Sequence, residues 1–167
     1  MKSSHKASLG IVVLLIAVLS GCAAPQPGVA DVTVEQAKKM TQAVELQIAG
    51  QVPSEFVTSI DQTPQGSLLS CEGDHNYVWA GHVKIQLTPD EDATEVFQQF
   101  ADATAATENW TVQQETAASG DPRISAVSPD GVTIIADLWS EEPALINLGS
   151  FSPCFHLPDD ESPLGEF

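Results

Sequence analysis

YVWAGHVKIQL, residues 77–87, alternates along its length. Tyr77, Trp79, Val83, Ile85 and Leu87 fall on one side, and His82, Lys84 and Gln86 on the other. This two-residue period marks a strand with one buried face. Gly81 interrupts the apolar file, where a bulge or a crossing helix would need a residue without a side chain.

Around this strand the chain supplies others. Trp110 and Val112 begin one; Arg123–Val127 and Val132–Trp139 flank the turn sequence SPDG, which predicts a hairpin. Residues 144–151 add a last strand after the EEP turn, and residues 68–71 suit an edge strand. Two helices are expected. Thr33 and Gln36 have capping-box spacing, Ala37, Met40, Val44 and Ile48 recur at helical intervals, and Gly50 suits the end before Val52-Pro53 breaks it. A second box, Thr88 with Glu91, has Pro89 at the first helical position, and Ala93, Val96, Phe97, Phe100 and Thr104 follow on one face. The expected fold is α+β: an antiparallel sheet of about five strands with two helices packed on it. A single domain spans 33–155, and the acidic sequence HLPDDESPLGEF, 156–167, reads as a disordered tail.

Charge narrows the partners. The 167 residues carry 23 acidic and only six basic side chains, a formal charge of −17. A surface so acidic repels phosphate backbones and anionic headgroups, which argues against nucleic-acid binding.

The N-terminus indicates location. MKSSHKAS is a basic n-region, and Leu9–Leu19 is an 11-residue apolar run. That run falls short of the roughly 20 residues needed to span a bilayer but fits a signal-peptide h-region. Leu19-Ser20-Gly21-Cys22 follows, and here the chain resembles a bacterial lipoprotein precursor, whose lipobox reads Leu-x-(Gly/Ala)-Cys. The acidic, lysine-poor remainder is similar to that of small actinobacterial envelope lipoproteins. The resemblance implies cleavage after residue 21 and a diacylglyceryl group on the Cys22 sulfur. It implies an extracytoplasmic protein anchored to the cell membrane by lipid, with residues 22–32 as a tether. Each buried methylene stabilises membrane attachment by about 0.8 kcal/mol, so two or three acyl chains hold the protein without a transmembrane helix.

With Cys22 lipidated, Cys71 and Cys154 are left to pair, as an oxidising compartment favours. Their bridge would bring CEGDH beside CFH, so that Glu72, Asp74, His75 and His156 converge as possible ligands for zinc or a similar ion. Reduced cysteines would instead offer a Cys2His2 set, at spacings that match no standard finger. A solvated surface disulfide explains the same residues without a metal, and is preferred.

Other candidates have structural explanations. Asp90, Glu91 and Asp92 lack calcium-loop spacing and suit a first helical turn. His82 reads as solvated on the polar side of its strand. Trp79 and Trp110 read as core, whereas Trp139 shares a file with Thr133, Ile135 and Asp137, opposite the apolar file of Val132, Ile134, Ala136 and Leu138. Trp139 is therefore the candidate binding residue. No nucleophile elbow, zinc-protease, phosphate-loop or dinucleotide motif is present. Two function classes result: a lipid-anchored envelope module that binds a partner protein or small ligand without catalysis and needs no cofactor, or a metal-binding protein or metal-dependent enzyme at the Cys71/Cys154 pair.

Overall fold

The computed structural model describes residues 28–89, 91–140 and 144–167. The expected signal segment, Cys22, most of the expected tether, Asp90 and the expected EEP turn lie outside the described residues.

Helix α1, Val34–Ala49, begins at the expected box: the Thr33 hydroxyl accepts from Gln36 N–H while the Gln36 side chain accepts from Thr33 N–H, and Gly50 caps the other end. A single 3-10 turn at Ser54–Phe56 leads into β1, Val57–Gln62, and then β2, Ser67–Ser70. β3, Asn76–Leu87, is the longest strand. Helix α2, Ala93–Ala105, is followed by a meander of β4, Thr111–Thr116, β5, Pro122–Val127, β6, Thr133–Trp139, and β7, Leu145–Phe151. A two-residue β8, Phe155–His156, ends the series.

The sheet is antiparallel throughout, in the order β1-β3-β7-β6-β5-β4. Length lets β3 serve as its spine. Its second half pairs with β1 and its first half with β2 along one edge, while β7 and then β8 pair along the other. The sheet thus has eight strands rather than about five. β2 is the edge strand expected at 68–71; the ones that escape sequence reading are β1, an edge strand with polar, exposed positions, and β8, which is two residues long.

Both helices lie on one face. Val44 and Ile48 from α1 and Val96, Phe97 and Phe100 from α2 bury against Val83, Ile85, Leu148, Ile146, Ala136, Leu138 and Ile124. A second cluster joins Val34 and Ala37 to Leu68, Trp79, Phe155 and Leu157. It also recruits residues expected to lie outside the domain. Ala30 N–H donates to Cys154 O at 2.7 Å, Val32 packs on the cluster, and Phe167 both packs there and exchanges two backbone hydrogen bonds with Gly66. Where the sequence suggests a disordered tail, the structure buries Leu157 and docks Phe167; these two apolar anchors hold an otherwise polar segment.

The second capping box is displaced. Thr88 remains tied to the sheet, its N–H on Phe56 O at 2.9 Å and its hydroxyl 3.4 Å from Glu55 O. The cap is Asp92, whose Oδ1 accepts from Thr94 and Glu95 N–H at 3.0 and 3.2 Å. A carboxylate at that end is also favoured by the helix dipole.

Candidate functional site

Cys71 and Cys154 form the expected disulfide, with Cα atoms 6.2 Å apart. The bridge straddles the start of β3, because Ser70 and Phe155 both pair with Tyr77, one from each side. Register does the rest: Asn76 pairs with His156, bringing the His75 and His156 rings to a centroid separation of 6.4 Å. His75 sits at a positive φ of 54° in the turn that ends at Asn76, whose side chain donates to Glu72 O at 2.9 Å. The carboxylate beside His75 is Asp159, 3.7 Å from Nδ1, and His156 Nδ1 lies 3.2 Å from Asn76 Oδ1. Glu72 and Asp74 are exposed, and among the described residues no three His, Cys, Asp or Glu side chains are grouped to share one ion.

A residue that sequence reading passed over sits at the centre of the molecule. Glu45 is fully buried under α1. Its carboxylate accepts a short hydrogen bond from the Ser150 hydroxyl on β7 and another, 2.6 Å, from Gln62 Nε2 on β1. The Gln62 amide also donates to Gln42 O at 2.8 Å, which fixes its orientation. Burial pushes the Glu45 carboxyl above the usual range, while the Ser150 and Gln62 hydrogen bonds and the nearby His82 pull the other way. Gly81 is the enabling neighbour: a Cβ there would overlap the Trp79 ring and stand 2.6 Å from Glu45 Oε1. The break in the apolar file of β3 is therefore a helix crossing. The signal was available in the sequence, since Glu45 falls four residues after Thr41 and three before Ile48, on the face that α1 buries.

The sheet face opposite the helices carries no helix among the described residues. Strand register builds it row by row, because paired residues point to the same side. One row is Gln86, Leu145 and Trp139. The next crosses six strands: Asp61, Lys84, Asn147, Asp137, Arg123 and Glu115. A third is His82, Gly149, Ile135, Ser125 and Gln113, and a fourth Ala80, Phe151, Thr133, Val127 and Thr111. Trp139 is 50% exposed and Val127 39%, while Leu145, Ile135 and Phe151 are partly exposed. Within the charged row Arg123 grips Asp137 through two hydrogen bonds, Nε to Oδ1 at 2.5 Å and Nη2 to Oδ2 at 3.1 Å; this raises the guanidinium's already high pKa. His82 belongs to this face, with Nδ1 2.9 Å from the Thr63 hydroxyl.

A groove of about 510 Å³ runs between α2 and the β4–β5 edge, floored by Phe97, Ala101 and Ile124 and rimmed by Gln98, Gln114 and Thr116. Glu115, Pro122 and Arg123 complete its lining. No protein-family profile, curated protein or solved structure matches the chain.

Proposed function

We propose that the protein is a lipid-anchored, extracytoplasmic binding or accessory module of the bacterial cell envelope, without chemistry of its own, and that its binding surface is the sheet face opposite the helices. The observation that carries this reading is the half-exposed Trp139 with Leu145, Ile135 and Phe151 on a broad face that no described helix covers. They form two groups, Trp139 with Leu145 and Ile135 with Phe151, on either side of the charged row, and exposed apolar groups rimmed by polar residues on one open face mark an interaction site. The anchor is supported by the Leu19–Cys22 lipobox and its preceding apolar run.

Two measurements test the proposal. Mass spectrometry of the N-terminal peptide should find a diacylglyceryl modification on Cys22 and residues 1–21 removed, and Cys22→Ala should release the protein into the medium. A photoreactive amino acid at position 135 should crosslink in intact cells, whereas one at the exposed Lys39 on the outer surface of α1 should not. Equal crosslinking at both positions, or none at 135, overturns the binding face.

A second reading is favoured by one observation, the 6.4 Å between the His75 and His156 rings with Asp159 3.7 Å from His75 Nδ1. It is that this corner takes up zinc. Titration calorimetry with the native chain and a His75→Ala/His156→Ala variant decides it: identical heats in both exclude the site.

A further inference from the structure

We propose that the partner of the uncovered sheet face is a second copy of this chain, docked about a two-fold axis running close to β7. The inference rests on the reading of that face as a binding surface, and adds the identity of what binds. Charge order is the first argument. From β1 to β4 the central row reads Asp61, Lys84, Asn147, Asp137, Arg123, Glu115, that is, acid, base, neutral, acid, base, acid. A two-fold axis along β7 reverses this order about Asn147. Lys84 then meets Asp137 of the second copy, and Asp61 meets its Arg123, so each basic residue of the row faces a carboxylate. Centring the axis between β7 and β6 would instead set Lys84 against Arg123 and Asp61 against Glu115. The alternation therefore selects one axis.

The flanking rows agree. On the axis Leu145 meets Leu145, Phe151 meets Phe151 and Gly149 meets Gly149, leaving no bulky side chain at the Gly149 level to hold the sheets apart. One strand out, Trp139 lies over Gln86 and Ile135 over His82.

Size is the second argument. About this axis β1, β3, β7, β6 and β5 face counterparts and β4 overhangs; five strands at about 4.8 Å spacing, and the six residue steps from Leu145 to Phe151, give roughly 19 by 20 Å between Cα rows. Once side chains widen that footprint, it stays below the roughly 800 Å² per partner of a standard protein interface and suits a weakly associating dimer. A sheet face of this extent is complemented by another sheet packed about 10 Å away. Of the four basic residues that follow residue 6, Lys84 and Arg123 both lie in this row, so the strongly acidic surface elsewhere is not what the two copies bring together. At physiological ionic strength screening over about 8 Å limits that wider repulsion.

The full chain in mild detergent should sediment as a dimer. Lys84→Glu and Asp137→Lys, each alone, place like charges across the axis and should weaken association by at least about tenfold. Mixed together, the two variants regain both ion pairs: the glutamate introduced at position 84 of one copy faces the lysine introduced at position 137 of the other, and the unaltered Asp137 and Lys84 face each other on the far side of the axis. The mixture should associate nearly as well as the native chain. Because Asp137→Lys also breaks the pair with Arg123, Asn147→Cys provides a second measurement. Placed on the axis with its counterpart about 10 Å away, it should be joined across the dimer by a short bis-maleimide, beyond any background from the native chain, whereas Gln113→Cys, three strands away, should not. A monomeric native chain, a mixture of folded variants that fails to associate, or equal crosslinking at 147 and 113 overturns the proposal. If position 135 crosslinks to a different protein while the chain is monomeric, the binding face stands and the second copy falls.

Discussion

Replacing Glu45 by Gln should leave the protein at least as stable as the native chain at neutral pH, while Glu45→Ala destabilises it. The carboxylate has two hydrogen-bonding neighbours, and Gln62 is committed as a donor because its amide also serves Gln42 O. A glutamine at 45 can point its oxygen at Gln62 and its amide at Ser150, whose hydroxyl turns to accept. Both contacts survive without a buried charge. Alanine instead strands the fully buried Ser150 hydroxyl and leaves a void, which costs roughly 1–3 kcal/mol. In a chain of this size that corresponds to a fall in Tm of roughly 2–4 °C per kcal/mol. The pH dependence has a definite sign. Burial raises the folded-state pKa of Glu45 above its unfolded value of 4.5, so the native state binds the extra proton. This group's contribution to stability therefore declines as pH rises from 4.5 through the folded pKa, and levels off beyond it. The advantage of Glu45→Gln over the native chain should grow across the same interval. Thermal melts of the three proteins from about pH 4.5 to about pH 7.5 measure this. A glutamine variant as unstable as the alanine variant, or a glutamine-to-native difference that does not change with pH, refutes the account.

Three further outcomes follow from the fold. Removing the disulfide as Cys71→Ser/Cys154→Ser opens a loop defined by a sequence separation of 83 and should cost about 4–5 kcal/mol in the chain-entropy treatment, seen as a large drop in Tm that reductant reproduces in the native chain. Gly81→Ala forces a methyl group into Trp79 and Glu45 and should cost about 1–3 kcal/mol by urea denaturation, with a change in tryptophan fluorescence; a neutral result would remove the helix crossing as the reason for glycine. Asp92→Ala should cost about 1 kcal/mol through loss of the α2 cap, whereas Thr88→Ala should stay within about 0.5 kcal/mol; the reverse order would restore the cap to Thr88.

The fold was legible wherever a single periodicity acted alone. The alternation of 77–87, the SPDG hairpin and the apolar stripe of α2 all describe segments that bury one face against one layer. Legibility failed at the edges. β1 reads VTSIDQ, and its Ile60, opposite Ile85 on the helix side, is still 42% exposed, so the pairing owes more to the β3 backbone than to its own apolar pattern. The displaced α2 cap has a similar origin: Thr88 satisfies the local pattern, but its hydrogen bonds go to Phe56 and Glu55, far away in sequence. Short-range rules cannot register a competitor that arrives through tertiary structure.

The candidate site divides along the same line. The disulfide followed from a count of cysteines, and the half-exposed position of Trp139 followed from its place in the file opposite Ile134 and Leu138. Neither the charged row nor the Glu45 pocket could be read that way, because each is assembled by register between strands rather than by spacing within one. Asp61 and Glu115 lie far apart in the chain and at opposite edges of the sheet, yet a one-residue slip in any intervening strand would turn its member of the row to the helix side. The buried files Ile146–Leu148–Ser150 and Ile134–Ala136–Leu138 prevent that slip. The apolar core thus fixes the order of charges on the opposite face, and with it the chemistry that face can present.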